Sequence, residues 1–313
     1  MNKYCIIIHS HSKTDPLPAG GEVDHILYLE DYIMKKLLSL ILALLMVLSL
    51  VACGGGSDEP GEGGEETGLV TVTPGKLTVA TSPDFAPYEF YAIDENGDPQ
   101  LAGFDMALAQ YIADYLGLEL EVIPMDFDGT LLELANKTVD CSMAGYSPDP
   151  KRADSMDFSE IYYKGGQSFV CLQANKDKFP TLADTNKAEL KVGAQIGSIQ
   201  VDLAKKNSPD ADIVELTKVT DIIAELLAGT LDGAYIEEAV ALSYAKNYPD
   251  LCVALNVPYD QEGSVVGVSK GNAELLAGVN EAIKAALADG SMDQFVADAN
   301  EAASGDIIEG LLD

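Results

Sequence analysis

The chain has 313 residues, a formal charge of −32 and no tryptophan, with an isoelectric point near 4.1. Such an acidic chain argues against a nucleic-acid partner, which needs a basic patch, and suits solubility outside a cell. Its three histidines, His9, His11 and His25, all lie near the N-terminus.

From Met34 the chain reads Met34-Lys35-Lys36, an apolar run Leu37–Ala52, then Cys53. A charged start, a hydrophobic core and a small residue before a cleavage point make a secretory signal. The run is shorter than the about 20 residues of a spanning helix. Leu50-Val51-Ala52-Cys53 resembles the lipobox of bacterial lipoproteins. That resemblance implies cleavage before Cys53, a lipid on its thiol and acylation of the new amino terminus; more than one acyl chain holds stably in a membrane. Gly54-Gly55-Gly56 and the acidic, glycine-rich stretch to Thr67 cannot pack a core around Cys53. Residues 1–33 stand upstream of a segment that normally opens a protein. Either Met34 is the true start, or 1–33 is a genuine extension. Without residues 1–52 no histidine remains, which argues against Ser-His-Asp, Cys-His and His-ligated zinc chemistry. Cys141, Cys171 and Cys252 lie in apolar runs without metal spacing; they are expected as buried free thiols, with one disulfide as the alternative. No metal or cofactor is expected.

Residues 53–75 read as a lipidated cysteine and flexible acidic tether ending at Pro74-Gly75. Beyond it, short apolar runs alternate with amphipathic stretches. Leu77–Ala80 is a strand; Phe104, Leu108, Tyr111, Ile112, Tyr115 and Leu116 recur at helical spacing up to Gly117. Then come strand Leu118–Ile123, helix Thr130–Asn136, strand Val139–Ala144 and strand Lys191–Ala194. Helix Ile199–Lys206, strand Ile213–Leu216, helix Asp221–Leu227, strand Gly233–Ile236 and helix Ala239–Asn247 follow. Strands Cys252–Leu255 and Val265–Val268 and two terminal helices complete the order. Strand–helix–strand alternation predicts an α/β fold with open, mostly parallel sheets and a ligand at the strands' carboxyl ends. Roughly 230 residues exceed one domain of about 100–150, so two lobes are expected.

Several ordered motifs resemble the bacterial extracellular solute-binding proteins of family 3, which bind polar amino acids. They are Gly103-Phe104-Asp105-Met106, Asp126-Phe127-Asp128, Ala144-Gly145-Tyr146-Ser147-Pro148-Asp149-Pro150-Lys151-Arg152 and Asp157-Phe158-Ser159. The resemblance runs from about Lys76 to Asn300. It implies a two-lobed periplasmic-binding-protein-like fold of type II, each lobe a sheet flanked by helices. Lobe 1 would hold 76–165 and 260–313, and lobe 2 would hold 166–259. Gly165-Gly166 and Val257–Gly263 would be the hinges, since glycine absorbs dihedral change.

The resemblance also implies a site. Arg152 matches the carboxylate-binding arginine, whose fork can bond both oxygens; Ser147 and the Gly145 backbone match further contacts. Gly197-Ser198-Ile199 precedes a helix, so Ser198 and Ile199 would offer backbone N–H groups to the carboxylate. Glu237 stands where the family places an acid, usually aspartate, for the ligand ammonium. Phe85 and Phe127 match the aromatic pair around the ligand side chain. Ser82 stands where cation-preferring members often carry an acid, which weakens a lysine or arginine ligand, although Asp84, Glu89 and Asp105 supply charge nearby. Gln195 replaces another specificity residue. Outside the motifs, Arg152 reads rather as a surface arginine, Glu237 and Asp105 as helix-start acids, and the phenylalanines as core; within them the binding reading is the better one for Arg152 and Glu237.

The expected function is a binding protein, not an enzyme: a monomer, lipid-anchored on the outer face of the cytoplasmic membrane, delivering a polar amino acid to an ABC permease and its ATPase. The alternatives are a cyclohexadienyl or arogenate dehydratase-like enzyme on the same fold, where Glu237 or Glu89 would be the general acid, and a sensor presenting its ligand to a receptor.

Overall fold

A computed structural model describes residues 69–93, 96–260, 262–304 and the backbone of 307–308. The upstream segment 1–33, the signal segment 34–52, Cys53 and the tether up to 68 lie outside the described residues.

The first lobe opens with β1 (Lys76–Thr81), β2 (Asp84–Phe85), β3 (Glu89–Ile93) and β4 (Pro99–Ala102). It continues with α1 (Phe104–Leu116), β5 (Glu119–Pro124), α2 (Phe127–Ala135), β6 (Cys141–Ser142) and β7 (Met156–Phe158). The second lobe holds β8 (Gln167–Leu172), β9 (Lys191–Gln195), α3 (Ile199–Asn207), β10 (Asp212–Leu216) and α4 (Val219–Ala228). β11 (Gly233–Glu237), α5 (Glu238–Asn247) and β12 (Leu251–Asn256) complete it. The chain then returns for β13 (Gly267–Ser269), α6 (Ala273–Asp289), α7 (Ser291–Ala302) and β14 (Ile307–Ile308).

Each lobe is built on a five-stranded sheet, ordered β5-β1-β6-β13-β7 in the first and β10-β9-β11-β8-β12 in the second. β1 is parallel to β5 and β6, and β9 is parallel to β10 and β11. β1 is buried along nearly its whole length, as befits a strand covered on both faces. The sheets are mixed rather than mostly parallel: β13 and β8 each pair antiparallel with both neighbours. Each of these reversed strands is the first one laid down after the chain arrives from the other lobe, so it enters from the opposite edge. A small sheet, β14-β3-β2 with β4 on β3, flanks the first lobe; its strands are too short for an alternation signal, and β7 and β8 escape the sequence pattern as well.

The helices form where the apolar period is strongest. α1 buries Phe104, Leu108 and Ile112 on one face and stops at Gly117, whose left-handed backbone donates to the Ala113 and Asp114 carbonyls. It packs on α6 and α7. α4 buries Ile222, Ile223 and Leu226. Between the lobes the chain crosses twice, and the crossings bond to one another: Ser264 N–H donates to Tyr163 O at 2.7 Å and Val257 N–H to Gln167 O at 2.7 Å.

Asp140 ties the start of the first lobe together. Its buried carboxylate accepts from Val72 N–H (2.7 Å), Thr78 N–H (2.8 Å) and Thr78 Oγ1 (2.6 Å). Asp140→Ala strands these donors, and each unsatisfied buried group costs about 1–3 kcal/mol. Urea unfolding of the variant is expected to show a loss of roughly 2–4 kcal/mol, with Asp140→Asn losing less.

Candidate functional site

The turn after β1 and the motif around Gly145 build one wall of the interlobe crevice. Phe85 lies on β2, and its ring covers Gly145, whose backbone is left-handed at φ 58. A Cβ at that position would sit 2.7 Å from the ring, so only glycine fits. Phe127 opens α2 and meets Tyr146 edge to face, centroids 5.4 Å apart. Arg152 ends a short 3-10 turn, Pro150–Arg152, whose start is fixed by Lys151 N–H donating to the Asp149 side chain.

The Arg152 guanidinium lies 5.7 Å from the Phe127 centroid and 5.4 Å from that of Tyr146, within cation–π range of both. Its Nη2 donates across the crevice to Gly197 O at 2.8 Å. Among the described residues Arg152 forms no ion pair. Burial depresses its pKa, only partly opposed by Tyr146, Asp149 and Asp202. Facing it is the N-terminus of α3. Ser198 occupies the cap position, but its hydroxyl donates back to Gln195 O at 2.7 Å and accepts no helix amide.

Phe85, Phe127, Gly145, Ser147 and Arg152 from the first lobe and Gln195, Ser198 and Ile199 from the second therefore line one crevice, with Ala144, Tyr146 and Gln200. Its free space is about 10 Å³, roughly one water, so an amino-acid-sized guest enters only as the walls part. A wider groove of about 630 Å³ runs past Val70, Lys137 and Lys270; its lining comes from the first lobe and the segment just before it, with nothing from the second lobe.

Ser82, Asp105 and Glu237 are not in that lining. Ser82 stands behind it, donating to Asp84 Oδ1 at 3.0 Å. Asp105 is a buried support: it accepts from Gly145 N–H at 3.1 Å and Tyr162 OH at 2.7 Å, and burial raises its pKa to about 6. Glu237 sits at the crossing. Its Oε1 accepts from Tyr88 OH at 3.1 Å and Gly166 N–H at 3.3 Å, and its Oε2 caps α5 through Val240 N–H at 3.0 Å. A Cβ at Gly165 would come within 2.4 Å of that carboxylate.

Tyr88, Tyr146 and the lobe-spanning role of Asp84 were not evident beforehand. Asp84 Oδ2 accepts from Val219 N–H (2.5 Å) and Gln195 Nε2 (3.3 Å), and its carbonyl from Tyr244 OH (3.2 Å). All three donors come from the second lobe. Glu89 is fully buried, and among the described residues neither carboxylate oxygen meets an N–H or hydroxyl donor; burial, then repulsion from Asp105 and Asp84, pushes its pKa well up, and the proton it holds can be shared with Asp105.

Residues 77–298 match the family model for bacterial extracellular solute-binding proteins, family 3. The chain belongs to this family. It is similar to the arginine-binding extracellular protein ArtP of Bacillus subtilis, 32% identical over 84% of this chain and 96% of ArtP. Among solved structures it resembles the amino acid ABC transporter substrate-binding protein AbpA from Streptococcus pneumoniae bound to L-arginine. The TM-score is 0.71 at 33% identity, over 74% of this chain and 97% of AbpA. A cyclohexadienyl dehydratase of Pseudomonas aeruginosa is 27% identical over 59% of this chain and 68% of that enzyme. The two-lobed fold expected from the motifs is thus confirmed.

The buried carboxyls set a pH dependence. Burial raises Glu237 to about 7 and Asp84 to about 6. The folded state then holds these protons more tightly than the unfolded chain. The resulting stability is full only below the unfolded carboxyl range, about pH 4, and is lost as pH rises through 6 to 7. Melting temperature is expected to fall between pH 5 and pH 8, and Glu237→Gln to flatten that slope in a thermal-melt series.

Proposed function

We propose that this chain captures an amino acid between its lobes and delivers it to the permease of an ABC transporter. The observation that carries the reading is Arg152. A guanidinium set against a pair of touching aromatic rings, opposite a helix N-terminus and without an ion pair among the described residues, is suited to a ligand carboxylate. In this reading both carboxylate oxygens go to Arg152 and the α3 amides, with Ser147 and Gly145 beside them. Phe85 and Phe127 flank the ligand side chain. Glu237 takes the ammonium once the crossing opens enough to present it; it lies between the lobes, one tyrosine ring behind Phe85.

For the ligand class we propose a cationic amino acid, arginine first. Asp84, Glu89 and Asp105 lie close enough to repel one another, and a cationic tip would offset the desolvation of Glu89, whose oxygens meet no donor among the described residues. The serine at position 82 weakens the reading less than it did from the sequence, because these three acids converge from β2, β3 and α1. The arginine named for ArtP and AbpA points the same way. We also propose that lipid on Cys53 holds the mature chain at the outer face of the cytoplasmic membrane.

The dehydratase reading has one observation in its favour, a buried Glu237 poised near neutrality. Its oxygens are already occupied by Tyr88, Gly166 and Val240, which suits an acceptor more than a proton donor.

Isothermal titration against the common amino acids is expected to give tight binding of arginine and weak or no binding of acidic ones. Arg152→Ala should weaken it at least about 100-fold, because a buried carboxylate loses its partner, while the variant keeps its melting temperature. Silence across the whole panel would sink the binding reading, and turnover of prephenate or arogenate would replace it with the enzyme.

A further inference from the structure

The described cysteines fall in two places. Cys141 lies on β6 of the first lobe. Cys171 on β8 and Cys252 on β12 are directly opposite one another in an antiparallel pair. Their sulfurs are 3.9 Å apart, and both are buried in the apolar cluster of the second lobe with Phe169, Phe179 and Tyr235. No group of metal-ligating side chains surrounds them among the described residues.

We propose that Cys171 and Cys252 form a disulfide site. Opposed residues of an antiparallel ladder have Cα atoms about 4.5–5.5 Å apart, inside the span a disulfide bridges. Side-chain rotation can therefore bring the sulfurs from contact to bonding distance without moving a strand. The oxidant is an external disulfide. One thiolate attacks it, forming a mixed disulfide and releasing one external thiol; the second protein thiolate then displaces the other. The protein loses two hydrogen atoms, and the external disulfide is reduced to two thiols.

Burial pushes the Cys171 thiol up to about 12, so exchange is slow in the closed lobe and fastest while β12, an edge strand, is still pairing. The bridge would close a loop containing α3, α4 and α5, most of the second lobe. It would restrict the unfolded chain and leave the crevice alone, since neither sulfur lines it.

The full chain is unfolded, refolded in a reduced and oxidised glutathione buffer, alkylated and digested with trypsin without reduction. The expected product is peptide 165–176 joined to peptide 247–270, lacking two hydrogens, with Cys141 alkylated. Melting temperature should rise by roughly 5–10 °C over the reduced protein. Dithiothreitol should reverse the rise, Cys252→Ser should not show it, and amino-acid affinity should not change. Alkylated or glutathione-capped Cys171 and Cys252 after refolding would overturn the proposal, as would a bridge to any other cysteine.

Discussion

A guanidinium partly withdrawn from water and without an ion pair among the described residues is the constraint on which the proposed site depends. Arg152 is held on a short turn, set against the Phe127–Tyr146 ring pair and, among the described residues, tied to the other lobe by one bond to a backbone carbonyl. A carbonyl dipole satisfies one donor but does not neutralise the charge. The rings supply some attraction through their faces, yet the balance favours an anion in the crevice. Tyr146 is itself braced by Thr130 and Ser142, so the arginine rests on a firm floor. The surrounding fold, two sheets with helix ends and loops turned toward one gap, positions that floor against the opposing helix α3.

The gap is bridged by contacts of very different worth. Lys151 and Asp202 pair at 2.6 Å on the exposed rim, where solvent screening leaves little. Asp84 is buried and meets the first amide of α4, so a negative charge faces the positive end of a helix. Burial still outweighs that help, which is why its proton is held more tightly than usual. Interlobe attraction therefore depends on the Val219 backbone amide and the Gln195 side-chain amide aimed at one carboxylate more than on surface ion pairs.

Much of this was legible in the residues. The spacing of Phe104, Leu108 and Ile112 with Gly117 behind them is enough to place α1. The run from Ala144 to Arg152 points to the crevice through its family resemblance, and Arg152 does line it. Glu237 shows where pattern stops: its position at the end of β11 follows from the sequence, but its direction is set by Tyr88 and Gly166, distant in the chain. The same holds for Asp84, whose partners come from three separate elements of the second lobe. The reversed strands were hidden because alternation along the chain records neighbours in sequence, not the edge from which a strand enters its sheet.

The two crossings are joined by Tyr163 and Ser264, and Tyr259 OH donates to Gly165 O at 3.0 Å while accepting from Gly263 N–H at 3.1 Å. Two connections fastened together this way cannot twist independently. Any parting of the walls must turn both about a common axis, like a door on paired pins, with little freedom to slide sideways. The rim opposite the pins then sweeps the widest arc, and Arg152 can return to the Gly197 carbonyl in the same register after every swing.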